Sequence, residues 1–167
     1  MFHESSLSPA HFLGRLFSFL NTDGIDPDRF EIDHVCYRTD DPDRYAALRA
    51  WWLEQSEWLS ENIISGRPIA VFRLHEPFIF GAHSIPLLEL TAPGGNASSY
   101  PEGYEHAEFV LGRSVSDFLA DHSHLPFDTK NLTKPVNPDV RLRYEGISAK
   151  FHEYNLEYVI RHLDSKA

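Results

Sequence analysis

The stretch "YEHAEFVL", residues 104–111, alternates with the period of a β-strand, and its two faces decide how the chain folds. Ala107, Phe109 and Leu111 form one apolar face. Tyr104, His106, Glu108 and Val110 share the other. An imidazole beside a carboxylate on a strand face suits either a solvated exterior or the lining of a cavity.

A second stretch favours the cavity. "IDHVCYRT" (32–39) also places His third, after an acid and before a branched apolar residue, so His34 and His106 stand 72 residues apart. "RLHEP" (73–77) and "KFHEY" (150–154) share a basic residue, an apolar residue and His-Glu. Each precedes an apolar stretch with one glutamate, "LLELT" and "NLEYV", which sets Glu89 and Glu157 68 residues apart. Landmarks recurring in one order indicate a duplicated β-α-β-β-β unit. The expected organisation is α+β: an N-terminal helical extension (1–30), a first module (31–95), a linker (96–103) and a second module (104–167). The two modules would form a cupped mixed-sheet pseudo-barrel within one compact domain.

Local signals place the elements. "SPAHFLGRLFSFL" carries Phe12, Leu16, Phe19 and Leu20 at helical spacing, with Ser8 as a cap and Gly24 beyond its end. "DPDRYAALRAWWLEQ" is an amphipathic helix capped by Asp41. Strands are expected in 31–39, in "SENIISGRPI", in 66–76 and in 84–93, the last two joined by a loop at "PFIFGAHS". The dense Gly, Pro, Ser and Asn of "APGGNASSYPEGY" connect the halves. A short helix capped by Ser114 or Ser116 follows, then strands in "DVRLRYEG", "ISAKFHEY" and "NLEYVIRHL".

Strict alternation sorts the side chains. Val35, Tyr37, Phe72, Leu88, Phe109 and Phe151 fall on one face, the one helices should cover. His34, Cys36, Arg38, Arg73, His75, Glu89, His106, Glu108, Lys150, His152 and Glu157 fall on the other. If the sheet curves, that face becomes the inside of a cleft. His34 with Glu89 and His106 with Glu157 then give two nitrogen–oxygen ligand pairs related by the repeat. Such a donor set suits one divalent ion, zinc, nickel, manganese or iron, with positions left open for substrate. Each residue alone has an ordinary alternative: a hydrogen-bonded strand histidine, or a glutamate paired with Arg38, Arg73 or Lys150. Arg38, Arg73, His75, Lys150 and His152, with Glu108 among them, make the cleft basic and point to a small anionic ligand. Cys36 is a nucleophile, a soft ligand or a small packing residue.

Composition excludes several classes. The formal net charge is −10 with no Lys/Arg run, so neither nucleic acid nor an acidic membrane surface is an expected partner. Aromatics at 13% argue against disorder. The single Cys36 allows no internal disulfide. The N-terminus lacks a signal-peptide pattern, and no apolar run approaches the roughly 18 residues of a membrane span. The expectation is a cytoplasmic monomer or homodimer.

The segments "DHVCYR", "SENIISGRPIAVFRLHEP", "LLELTAPG", "GYEHAEFVL" and "KFHEYNLEYVI" resemble the vicinal oxygen chelate superfamily of glyoxalase I, extradiol dioxygenases and bleomycin-resistance proteins. They resemble its YecM-like branch more closely. The resemblance spans residues 33–160. It implies paired β-α-β-β-β modules and a divalent ion held by His34, Glu89, His106 and Glu157. It does not imply a substrate, since members isomerise, open rings, epimerise or only bind. The expected function is a metal-dependent lyase, isomerase or related enzyme acting on a small oxygenated anion, with Glu157 or Glu89 moving the proton. The alternatives are a non-catalytic ligand-binding module and a protein-interaction domain using Phe12, Leu16 and Phe19.

Overall fold

In the computed structural model, residues 7–94 and 101–163 are described. Part of the expected linker, residues 95–100, lies outside them. Among the described residues helix α1 (Ala10–Thr22) comes first, followed by strand β1 (Glu31–Arg38), α2 (Pro42–Gln55), β2 (Ser56–Ile64), β3 (Arg67–Phe80) and β4 (His83–Thr91). The second half supplies β5 (Gly103–Val110), α3 (Val115–Asp121), β6 (Asp139–Arg143), β7 (Ser148–His152) and a helical end, α4 (Leu156–Tyr158) running into a π turn, Val159–Leu163. The caps are those the residue types favour. Asp41 accepts from the Arg44 amide at 2.9 Å, and Ser114 from the Asp117 amide at 3.1 Å. Ser65 and Gly66, with φ of 52° and 78°, make the tight turn between β2 and β3.

The seven strands of the described residues form one open sheet in the order β2-β3-β4-β1-β5-β7-β6. β1 runs parallel to β4 and β5 parallel to β7, while β1 and β5 meet antiparallel at the centre. The α+β architecture is the expected one, although the sheet does not close into a barrel. Leu13, Leu16 and Leu20 of α1, Leu48 and Trp52 of α2, and Phe118 of α3 are buried with Val35, Phe72, Leu88, Phe109 and Phe151 of the sheet in one apolar core. Phe109 and Phe151 stack at 5.2 Å. The N-terminal helix is therefore part of the core. Phe12 and Leu16 are buried, and Phe19 stacks on Tyr144 at 4.7 Å, so this stripe is not free for a partner.

Two sequence expectations are corrected. "PFIFGAHS" is no loop: β3 and β4 continue through it as a hairpin, pairing Phe78 with Ile85 and Phe80 with His83. "NLEYVIRHL" is no strand. Asn155 caps a helical turn by accepting from the Tyr158 amide at 2.9 Å, and the helix continues to Leu163. Both edges of β7 are already taken by β5 and β6, so a following strand has nowhere to pair beside it. The second half thus gives three strands to the first half's four.

Register does the work that alternation alone could not. Across β1 and β5, His34 pairs with Glu108 and Cys36 with His106. That antiparallel register is a local twofold relation, and it exchanges each residue with the one 72 positions away: His34 with His106, Cys36 with Glu108. Two bulges interrupt the ladder, at Ile32/His34 and at Cys36/Tyr37. The extra residues are Asp33 on β1 and Glu105 on β5, again 72 apart. A bulge leaves two residues opposing one and resets the alternation. Asp33 and Glu105 therefore accompany His34 and His106 on the polar face. Tyr104 is turned to the helix side, where it stacks on Phe12 at 5.6 Å and donates to the Leu7 carbonyl. Among the described residues, no helix is long and apolar enough to cross a membrane.

Candidate functional site

At the central β1/β5 contact the two buried imidazoles face each other with ring centroids 6.1 Å apart. His34 Nε2 and His106 Nε2 lie 3.4 and 3.2 Å from Glu108 Oε1. They lie 3.9 and 3.8 Å from the two Glu89 oxygens. Neither Nε2 makes a hydrogen bond, although both are inaccessible to solvent. A buried polar atom without a partner costs about 1–3 kcal/mol, so two such atoms together make this a candidate ligand position. One donor atom each from His34, Glu89 and His106 falls within 4.8 Å of the others. Cys36, Glu105 and His106 form a second such group beside it.

The bulged acids stand behind the imidazoles. Asp33 Oδ1 is 2.9 Å from His34 Nδ1, and Glu105 Oε1 is 3.9 Å from His106 Nδ1. At His34 the acid on Nδ1 orients the ring and leaves Nε2 as the outward donor, whereas His106 Nδ1 makes no hydrogen bond. Asp33 Oδ2 also accepts from the Leu156 amide at 2.6 Å and lies 3.4 Å from His152 Nε2, which ties the C-terminal helix to the site. His152 Nδ1 meets Asn137 Nδ2 at 2.7 Å.

Charge is concentrated here. Burial alone would raise the Asp33 and Glu108 carboxyls, but the cations around them win. His34 and His152 hold Asp33 well below the carboxylate range. Lys150 and His34 do the same for Glu108. Burial would lower His34, yet Glu108 and Asp33 lift it well above the usual imidazole value. Glu105 falls to about 2 despite its burial, through His106 and Arg38. Burial and the nearby Glu89 push the Cys36 thiol upward, and Sγ sits 3.3 Å from Thr91 Oγ1, so Cys36 is a neutral thiol rather than a poised nucleophile.

The residues singled out from sequence divide. His34, Glu89, His106, Glu108, Lys150 and His152 gather at one place. Arg38 lies at its edge, paired with Glu105. Glu157 is in neither of the two donor groups. It is bound by Arg73 and, at 2.8 Å, by Arg161, on the helical segment where a strand was expected. Arg73, half exposed, faces that segment. His75 is exposed and lines a groove of about 430 Å³ with Trp51, Trp52 and Gln55, on the helix side of the sheet. The β3 bulge between Arg73 and Phe78 breaks the alternation that placed it in the cleft. Asp33, Glu105 and Arg141 were not singled out. The repeated Asp-His and Glu-His dipeptides were visible, but only the bulges turn their acids inward. A cleft of about 440 Å³ is lined by Arg38, Glu105, Arg143 and Ser148, among others, the last being the strand partner of His106.

Comparison with known proteins gives consistent results. A family model described as "YecM protein" matches residues 5–162. Protein YecM of Escherichia coli K12 is 29% identical over 144 residues, covering 77% of this chain and 76% of the relative. Among solved structures, the structural-genomics protein EC4020 has a TM-score of 0.74 at 28% identity, covering 92% of this chain and 90% of its own. Methylmalonyl-CoA epimerase from Mycobacterium tuberculosis has a TM-score of 0.52 at 13% identity, covering 74% and 87%, a likeness of fold alone.

Proposed function

We propose, for a chain that belongs to the YecM family, that the central cluster holds one divalent ion and that the cleft serves a lyase or isomerase acting on a small oxygenated anion. One observation carries this reading: two buried, unpartnered imidazole Nε2 atoms converge on the Glu89 carboxylate. The donor set, two neutral imidazoles and a carboxylate, suits zinc, nickel, manganese or iron and leaves coordination positions for substrate. His34 Nε2, His106 Nε2 and a Glu89 oxygen would hold the ion, which would supply Lewis-acid polarisation of substrate oxygens.

The chain's own residues have distinct parts. Asp33 fixes the His34 ring through Nδ1, and the bulge holds Asp33 in place. Glu105, held by Arg38, stands behind His106. Glu108, kept ionised by Lys150, is the acceptor nearest both imidazoles and receives a substrate proton. This gives to Glu108 the proton-transfer role first expected of Glu157 or Glu89. Glu157 is already committed to two arginines.

The test is a titration at neutral pH with zinc, nickel, manganese and iron(II), followed by calorimetry and elemental analysis. Micromolar or tighter binding, lost in the His34→Ala, His106→Ala double variant, supports the reading. Absence of binding, or equal binding by the double variant, removes it and leaves a ligand pocket without an ion.

A further inference from the structure

The sheet register carries more than the donor set. Two rows of residues cross the polar face. One runs Arg73, Leu87, His34, Glu108, Lys150, Arg141 over β3, β4, β1, β5, β7 and β6. The other runs Val71, Glu89, Cys36, His106, Ser148, Arg143 over the same strands. The central twofold relation exchanges the rows. Cys36 stands beside Glu89, its mate Glu108 stands beside Lys150, and so Lys150 is the positional mate of Glu89. The second half places an ammonium where the first half places a carboxylate.

That ammonium has capacity to spare. Lys150 carries three N–H donors. Among the described residues its one hydrogen-bond acceptor is Glu108 Oε1, at 2.6 Å. Arg141, next in the row, is half-buried and makes no ion pair among the described residues. The acids near it have other partners: Asp128 takes Arg143 at 2.9 Å, Asp139 takes Lys134 at 2.6 Å, and Glu105, whose carboxyl Arg141 helps to hold down, is bound by Arg38. A guanidinium with no ion pair among the described residues, beside a mostly buried ammonium in a chain of net charge −10, is not general surface charge.

We propose that Lys150 and Arg141 form an anion seat, and that the substrate is a small 2-hydroxy or 2-oxo carboxylate. This rests on the metal reading above. The 2-oxygen and one carboxylate oxygen would reach the ion, while the other carboxylate oxygen would face the Lys150–Arg141 quadrant and accept charge-assisted hydrogen bonds from it. The seat replaces the fourth protein ligand that a symmetric duplication would have supplied, and it selects by charge. A neutral analogue with the same vicinal oxygens has nothing to offer the unfilled donors.

The experiment compares glycolate with its neutral isostere glycolamide on protein loaded with cobalt(II), binding being followed through the visible absorption of the ion. The wild type is expected to prefer glycolate by about tenfold or more, the scale of one charge-assisted hydrogen bond. Arg141→Gln should reduce that preference several-fold, and Lys150→Met should bring it close to one, with cobalt uptake retained in both. Lys150→Arg should keep the preference. Lys150→Met leaves Glu108 buried without its partner, so the Glu108→Gln, Lys150→Met double variant serves where the single one does not fold. Cobalt uptake with an unchanged preference in Arg141→Gln and in the Lys150 variant overturns the anion seat and leaves the metal reading standing. Absence of cobalt uptake by the wild type overturns both.

Discussion

Glu89 and Lys150 occupy equivalent positions in the two halves of the sheet, each beside the strand residue that the central twofold relation exchanges, Cys36 for Glu89 and Glu108 for Lys150. The carboxylate of the second half stands one strand inward, on β5 rather than β7. It therefore sits against both imidazoles, with the lysine behind it, and no acid stands at the mate of Glu89.

The glutamates are expected to separate in ion binding. Glu89→Gln should weaken divalent-ion affinity by about tenfold or more, the scale seen when even supporting groups of a metal site are changed. Glu157→Gln should leave it unchanged, because Arg73 and Arg161 hold that carboxylate on the C-terminal helix. Calorimetric titration with zinc distinguishes them. Equal losses in both variants would put Glu157 back among the ligands.

Asp33 should matter without touching the ion. Asp33→Asn removes the charge behind His34 and is expected to lower affinity by about 10–100-fold. The amide can still accept from Leu156, so the C-terminal segment should stay ordered. Nuclear magnetic resonance of the His34 ring provides the discriminating readout: a merely structural role for Asp33 would leave the ring tautomer unchanged.

Ion binding should release a proton at neutral pH. Glu108 and Asp33 lift His34 well above the usual imidazole value, so in the ion-free protein its ring should hold a proton to higher pH than a free histidine does. An ion needs the neutral ring, so affinity should keep climbing as pH rises above 7 rather than levelling near 6.5, the value of free histidine. Calorimetry in buffers of different ionisation enthalpy counts the protons. None released at pH 7 would contradict this state of His34.

Acid stability has a contribution far from the site. Glu61 accepts from Arg49 and Tyr45, at 2.6–2.9 Å, and the Arg49 bonds hold its carboxyl below 4.5. A lowered folded value gives stability that is present above 4.5 and lost as pH falls through the folded value. Glu61→Gln should cost up to about 1 kcal/mol at pH 7, as the pair is partly solvated, and almost nothing at pH 2. Urea denaturation at both pH values measures the difference.

The core makes its own demand. Phe109 is fully buried, stacked on Phe151 at 5.2 Å and near Phe17. Phe109→Ala should cost about 3–5 kcal/mol in chemical denaturation. A loss under about 1 kcal/mol would mean the core collapses around the gap.

The sequence by itself determined the shared β-α-β-β part of the two halves, the capped helices, and the recurrence of His34 as His106. Those follow from short-range rules, in which alternation, capping and spacing are written in neighbouring residues. It also pointed to Glu89, because β4 obeys strict alternation. Tertiary structure decided the rest. Alternation counts residues, and one inserted residue reverses it, so Asp33, Glu105 and Tyr104 changed faces at bulges that depend on the β1/β5 pairing. Strand partners are chosen across the sheet, so the likeness of "KFHEY" to "RLHEP" misled: β7 takes the place of β4, and Lys150, not Glu157, answers to Glu89. With both edges of β7 occupied, the last apolar stretch turned helical and carried Glu157 to Arg73 and Arg161. Hydrogen-bond register between strands distant in sequence has no local signature, and it is register that fixes which charges face the two histidines.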